Sequence, residues 1–124
     1  MKKVIFTKEA PEAIGPYSQA ILSKNTLYCS GQIALNKQGD FIAKNIEEET
    51  IQIIKNISAV LNKANMNLTN IVKTTIFLTN MDDFSIVNSI YEKSFSSCPP
   101  ARETVEVSAL PKNANIEITV IAVL

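Results

Sequence analysis

Two ionised side chains in the last quarter of the chain could do chemistry together. Arg102 is the only arginine, and the other eleven basic residues are all lysine. A guanidinium is planar and permanently charged, and it holds a carboxylate or phosphate through two parallel hydrogen bonds that lysine cannot copy. Arg102 stands in Pro99-Pro100-Ala101-Arg102-Glu103-Thr104-Val105-Glu106-Val107, where a proline-rich loop runs into a strand. Glu117 interrupts the apolar run Ile116-Glu117-Ile118-Thr119-Val120-Ile121-Ala122-Val123, where an unpaired buried carboxylate is costly. Residue type and pattern leave both open. Arg102 is an anion fork or an ordinary ion-pair partner; Glu117 reaches solvent at a strand end, or faces a polar pocket or a cation.

Lesser candidates surround them. In an extended strand Arg102, Thr104 and Glu106 share one face while Glu103, Val105 and Val107 share the other. Asn88 borders the apolar face of a helix, beside Val87 and one turn from Phe84 and Tyr91, where an asparagine satisfies backbone or binds a ligand. Tyr17 follows Gly15-Pro16, and Ser30-Gly31 closes a strand. A glycine there permits either close backbone approach to a ligand or simply a turn. The chain has no histidine, and Cys29 and Cys98 lie far apart without CxxC spacing. This argues against a zinc site, a histidine triad or any metal centre, and both thiols are expected to be free packing or surface groups.

The elements that must position these groups are legible. Short strands are expected at Val4–Phe6, Ser18–Leu22 and Leu27–Ser30, with a tight turn at Lys24-Asn25 and another over residues 36–40. The first helix begins after Asn45, a cap paired with Glu48, and Glu47 to Glu49 suit the positive end of the helix dipole. Its apolar stripe is Ile46, Thr50, Ile53, Ile54, Ile57, Val60, Leu61 and Ala64, and Asn65 is a left-handed terminator. A β-branched strand follows at Ile71–Leu78, then a second helix from near Asn80 with Phe84, Val87, Tyr91 and Phe95 inward. Strands at Arg102–Val107 and Asn115–Val123 complete the order β-β-β-α-β-α-β-β, an α+β domain with a mixed sheet spanning residues 1–124. The final strand looks apolar on both faces, and two helices cover only one, so a second copy of the chain is the expected cover for the other.

Bulk properties exclude several classes. Twelve acidic residues balance twelve basic ones among 124, so no overall field draws in nucleic acid or an anionic membrane. The N-terminus lacks the apolar stretch of a signal peptide, and no segment approaches the ~20 apolar residues of a membrane span, so the cytoplasm is the expected compartment.

Several motifs, in order along the chain, carry a resemblance. Ile14-Gly15-Pro16-Tyr17-Ser18-Gln19-Ala20, Ser30-Gly31-Gln32-Ile33, Val72-Lys73-Thr74-Thr75-Ile76-Phe77, Pro100-Ala101-Arg102, Val105-Glu106-Val107 with Leu110-Pro111, and Ile116-Glu117-Ile118 resemble the Rid (YjgF) reactive-intermediate deaminases. The resemblance implies a chorismate-mutase-like α+β fold, with two helices on one face of the sheet. It also implies a homotrimer whose sheets form a central barrel with clefts between subunits. The implied activity is cofactor-free hydrolysis of 2-imino acids or their enamines, such as 2-iminobutanoate and 2-iminopropanoate released by PLP-dependent dehydratases, to 2-oxo acids and ammonia. Arg102 matches the residue that grips the substrate carboxylate and Glu117 the one that directs water. Tyr17, Ser30, Gly31 and Asn88 match pocket residues, and Thr104 stands where a cysteine often lines the pocket. Pro99 replaces a usual phenylalanine and Glu103 a frequent serine, which leaves pocket shape and substrate size open. Two rival readings remain: a ligand-sensing trimer without turnover, and a ribonuclease, which the charge balance and the lack of histidine disfavour.

Overall fold

The structure is a computed structural model that describes every residue except Ala43. Six strands form one mixed sheet: β1 (Lys2–Ile5), β2 (Ala20–Ser23), β3 (Thr26–Cys29), β4 (Ile71–Leu78), β5 (Ala101–Glu106) and β6 (Ile116–Val123). Their spatial order is β1-β2-β3-β6-β4-β5, antiparallel throughout except for the parallel β4–β5 pair. Helices α1 (Ile46–Lys63) and α2 (Phe84–Ser94) lie against one face. The α+β expectation holds, with strand ends displaced by one or two residues where backbone pairing stops.

Local signals act largely as their chemistry requires. Asn45 Oδ1 accepts from the Glu48 amide at 2.8 Å, although the reciprocal Glu48 bond of a capping box does not form. Asn65 takes the left-handed conformation (φ 60°) just past α1, and Lys24 takes it (φ 54°) in the β2–β3 turn. Asn80 caps a 3₁₀ turn, Met81–Asp83, that leads directly into α2.

The two faces of the sheet differ. Along β6, Ile116, Ile118, Val120 and Ala122 are buried under the helices, together with Thr74, Ile76 and Leu78 of β4. Ile53, Ile57, Val60 and Leu61 of α1 and Val87 and Tyr91 of α2 complete that core. On the other face the strand register aligns Val4, Ile21, Tyr28 and Ile121 across four strands. Tyr28 remains 51% exposed and Val4 57%. A polar row lies beside this apolar one: Thr119, Thr75 and Glu103 are register partners, and Lys73 pairs with Glu103 at 2.7 Å. The open face is thus an apolar stripe with a charged, hydrogen-bonded centre rather than uniformly apolar.

Candidate active site

Arg102 lies on the helix-covered side of β5. Its register partner is Thr74, whose hydroxyl is buried against α2, and the guanidinium carbon sits over two α2 rings, 4.9 Å from the Tyr91 centroid and 5.7 Å from that of Phe84. Among the described residues no carboxylate comes within ion-pair distance of it. The group opens into a cavity of about 610 Å³ lined by Asn88, Tyr91, Glu92, Phe95, Ser96, Pro99, Pro100 and Arg102 itself. Thr104, one residue pair further along the same face, lies outside that lining, and its buried hydroxyl has no partner. Glu103 points to the opposite face, where Lys73 and Thr75 bind its carboxylate and hold its pKa below the usual range. It is no competitor for the guanidinium.

Glu117 occupies the open face of β6, opposite Phe77. Its carboxylate rests against Gly31, where any Cβ would lie 2.5 Å from Glu117 Oε2. A side chain at position 31 would therefore push the Glu117 carboxylate aside, while the Gly31 backbone, which is not left-handed, does not itself call for glycine. Burial pushes the Glu117 pKa up, and among the described residues no side chain donates to it. A carboxylate raised in this way is a better proton acceptor near neutral pH than an ordinary one. The surrounding cavity, about 330 Å³, brings in Tyr17, Ser30, Gly31, Ile14, Ile33 and Pro111.

Three buried polar side chains that the sequence did not single out as site residues hold the segments around this second cavity, and Gln19 also lines it. Gln19 donates to the carbonyls of Thr7 (3.0 Å) and Pro11 (2.9 Å) and accepts from the Thr7 amide, tying down the loop that carries Ile14 and Tyr17. Asn56 reaches from α1 to the carbonyls of Leu35 (2.7 Å) and Ile33 (3.4 Å), fixing the segment that follows Gly31. Glu49 accepts from the amide and side chain of Asn115, two residues before Glu117. Gln19 sits inside the motif Ile14-Gly15-Pro16-Tyr17-Ser18-Gln19-Ala20, and Glu49 and Asn56 are polar residues beside an apolar helical stripe. That position was the one signal available.

The remaining candidates have definite roles. Ser30 Oγ donates to the Ser18 carbonyl at 2.6 Å, so its proton is committed and only its lone pairs face the cavity. Tyr17 Oη accepts from the Ile14 amide at 3.3 Å, leaving its own O–H free to donate. Cys29 is buried, its thiol pushed up to about 12, while Cys98 is exposed. Among the described residues no cluster of ligating side chains could hold a metal.

Seven predicted site residues therefore fall into two groups. Arg102 and Asn88 share one cavity, Tyr17, Ser30, Gly31 and Glu117 another, and Thr104 sits beside the first. The two groups do not meet within one chain. β4 separates β5 from β6, which alone puts Arg102 and Glu117 roughly 10 Å apart, and they project from opposite faces.

Among the described residues, then, this is an α+β protein whose sheet displays an unpaired arginine on one face and an unpaired glutamate on the other. Residues 7–124 match the family model described as Endoribonuclease L-PSP. A RutC family protein of Saccharolobus solfataricus is 50% identical over 98% of both chains. The human 2-iminobutanoate/2-iminopropanoate deaminase is 44% identical, over 99% of this chain and 90% of the human one. Among solved structures, the Rid-family protein YyfA of Yersinia pestis superposes with a TM-score of 0.97 at 55% identity, covering both chains fully. The chain belongs to the Rid family, the group also named YjgF or RutC. Among the described residues no helix is long and apolar enough to cross a membrane.

Proposed function

We propose that this protein is a cofactor-free deaminase that hydrolyses 2-imino acids, with 2-iminobutanoate and 2-iminopropanoate as the substrate class. Arg102 binds the substrate carboxylate through its two parallel N–H groups, which also orients the imine carbon. Glu117 takes a proton from water as the water oxygen bonds to that carbon; the C=N π pair moves to nitrogen, which receives that proton and gives a carbinolamine. The carbinolamine O–H proton then passes through Glu117 to the nitrogen, and the C–N bond breaks to release ammonia as the carbon–oxygen double bond forms. Tyr17 and Asn88 supply polar contacts at the two ends of the cleft. No metal or organic cofactor is needed, because an imine carbon is already electrophilic.

The observation that carries this reading is that the two charged groups are each unpaired and sit in separate cavities on opposite faces. A small substrate can reach both only when two copies combine, one giving the Arg102 wall and its neighbour the Glu117 wall. A closed homotrimer in the cytoplasm, one Rid domain per chain, supplies three such clefts and covers the apolar stripe through Val4, Ile21, Tyr28 and Ile121. The 44% identity to the human deaminase supports the same chemistry. The family model's description points instead to RNA. Zero formal net charge and one arginine offer little to a polyanion.

Two measurements test the proposal. Added to a threonine dehydratase reaction, the protein should accelerate 2-oxobutanoate release, and an unaltered rate would refute deamination. Arg102→Ala and Glu117→Gln should each be inactive alone. When the two variants are unfolded together and reassembled, about one cleft in four combines an intact Arg102 with an intact Glu117, and about a quarter of the activity should return. No recovery would place the whole site within one chain.

A further inference from the structure

A guanidinium that is to receive a carboxylate must be held still without being neutralised. An ion-pair partner within the protein would orient it but occupy the N–H groups that the substrate needs. Aromatic rings avoid that conflict, since they attract a cation over their faces and leave its in-plane N–H groups free. Arg102 has this environment, lying 4.9 Å from the Tyr91 centroid and 5.7 Å from that of Phe84.

Of the two rings, Tyr91 is the better anchored. It is 5% exposed, and its ring stacks on Phe95 at 4.3 Å. Its hydroxyl shares a hydrogen bond of 2.8 Å with Thr74 Oγ1. Thr74 is also the register partner of Arg102, so one rung of the sheet carries both the guanidinium and the anchor of the ring beside it. Burial raises the Tyr91 pKa, outweighing the lowering by Thr74 and Arg102, so the hydroxyl stays neutral and the ring acts as a π face rather than a phenolate. Phe84 is only half-buried and has no polar tether.

We propose that Tyr91, locked by Thr74, is a positioning residue that orients Arg102 and leaves its fork open for an incoming carboxylate. The proposal rests on reading Arg102 as the carboxylate clamp. It extends that reading by giving a residue of the apolar helical stripe a part in ligand recognition. Simple core packing is the competing role for Tyr91, and it predicts lost stability with an unaltered Arg102.

The single arginine makes the test direct, because labelling with ¹⁵N-arginine gives a spectrum of Arg102 alone. In the intact protein its side-chain protons should be shielded by the rings and should shift on titration with 2-oxobutanoate. Tyr91→Leu should abolish most of the shielding and weaken 2-oxobutanoate binding about tenfold. Tyr91→Phe, which restores the ring without its tie to Thr74, should recover part of both and leave the Arg102 shift altered. Val87→Ala, a buried change on the same helix, should lower thermal stability with the Arg102 signal unmoved. An unchanged signal and affinity in Tyr91→Leu would overturn the proposal. If that variant does not fold, Thr74→Val replaces it: loosening the ring should alter the Arg102 shift, and an identical spectrum would overturn the proposal equally. A shielded Arg102 that ignores 2-oxobutanoate would instead overturn the clamp itself. The expected response in a protein that hydrolyses no imine would leave the positioning role standing and remove the deaminase reading.

Discussion

The two half-sites hold their charged groups in opposite ways. Arg102 projects from a sheet edge onto aromatic rings of α2, and the support for it is a packed helix. Glu117 sits on an interior strand against a bare glycine backbone, and the support for it is a set of loops tied by Gln19, Asn56 and Glu49. A cation is cheap to hold beside rings, which stabilise its charge. A carboxylate pressed against backbone and apolar walls loses solvation instead, and its pKa rises. In the proposed reaction the same difference divides the labour: the arginine half binds and the glutamate half reacts.

Substitutions can break this contrast from either side. The largest effect belongs to Arg102→Ala, expected to cut kcat/KM for imine hydrolysis on the order of a thousandfold. Its melting temperature should fall only slightly, since among the described residues the side chain has no ion pair to lose and gives up only its contacts with the Tyr91 and Phe84 rings. Arg102→Lys should recover little of the activity, because one ammonium cannot form the parallel pair; a lysine variant as active as wild type would remove the fork from the mechanism. Gly31→Ala comes next. The new Cβ must displace the Glu117 carboxylate, and an error of that size should lower kcat by about a hundredfold while leaving the Arg102 half intact. Normal 2-oxobutanoate affinity with lost turnover is the result to look for.

Asn56→Ala probes the loop support. It strips the Ile33 and Leu35 carbonyls of their buried donor and should cost about 1–3 kcal/mol in urea denaturation, with activity falling through the Gly31 segment. A variant of unchanged stability would show that water replaces the amide without loss. The smallest effect is that of Glu117→Gln on stability. A carboxylate whose folded pKa is raised binds its proton more tightly in the folded state. Its contribution is therefore full below the unfolded pKa and is lost as pH rises through the folded value. Glu117→Gln should consequently melt higher than wild type at neutral pH, and the gap should close on acidification below the ordinary carboxylate range. A gap that stays constant with pH would mean that Glu117 is better solvated than its position implies.

Much of this could be read along the chain. Helix α1 announced itself through Asn45, its acidic first turn and an apolar stripe at helical spacing, all consequences of contacts within a turn or two. Glu117 stood out because a carboxylate in an alternating apolar strand needs a reason. The alternation in β5 also placed Arg102 and Glu103 on opposite faces, as the Lys73 and Thr75 contacts of Glu103 require. Residues acting through long-range contacts stayed hidden. Tyr91 read as core because its ring sits at helical spacing, and nothing local reveals that an arginine eleven residues later lies over it. Glu49 read as helix-start chemistry, although its carboxylate is spent on Asn115, 66 residues away.

The sequence by itself thus determined the elements, the family resemblance and the two groups worth testing, because each depends on residue type and short-range periodicity. Only the tertiary structure decided that Arg102 and Glu117 leave opposite faces of the sheet and cannot meet in one chain. Strand order and register determine that, since β6 inserts between β3 and β4. Pairing of strands far apart in sequence sets which side chains share a cavity, and no local pattern encodes it.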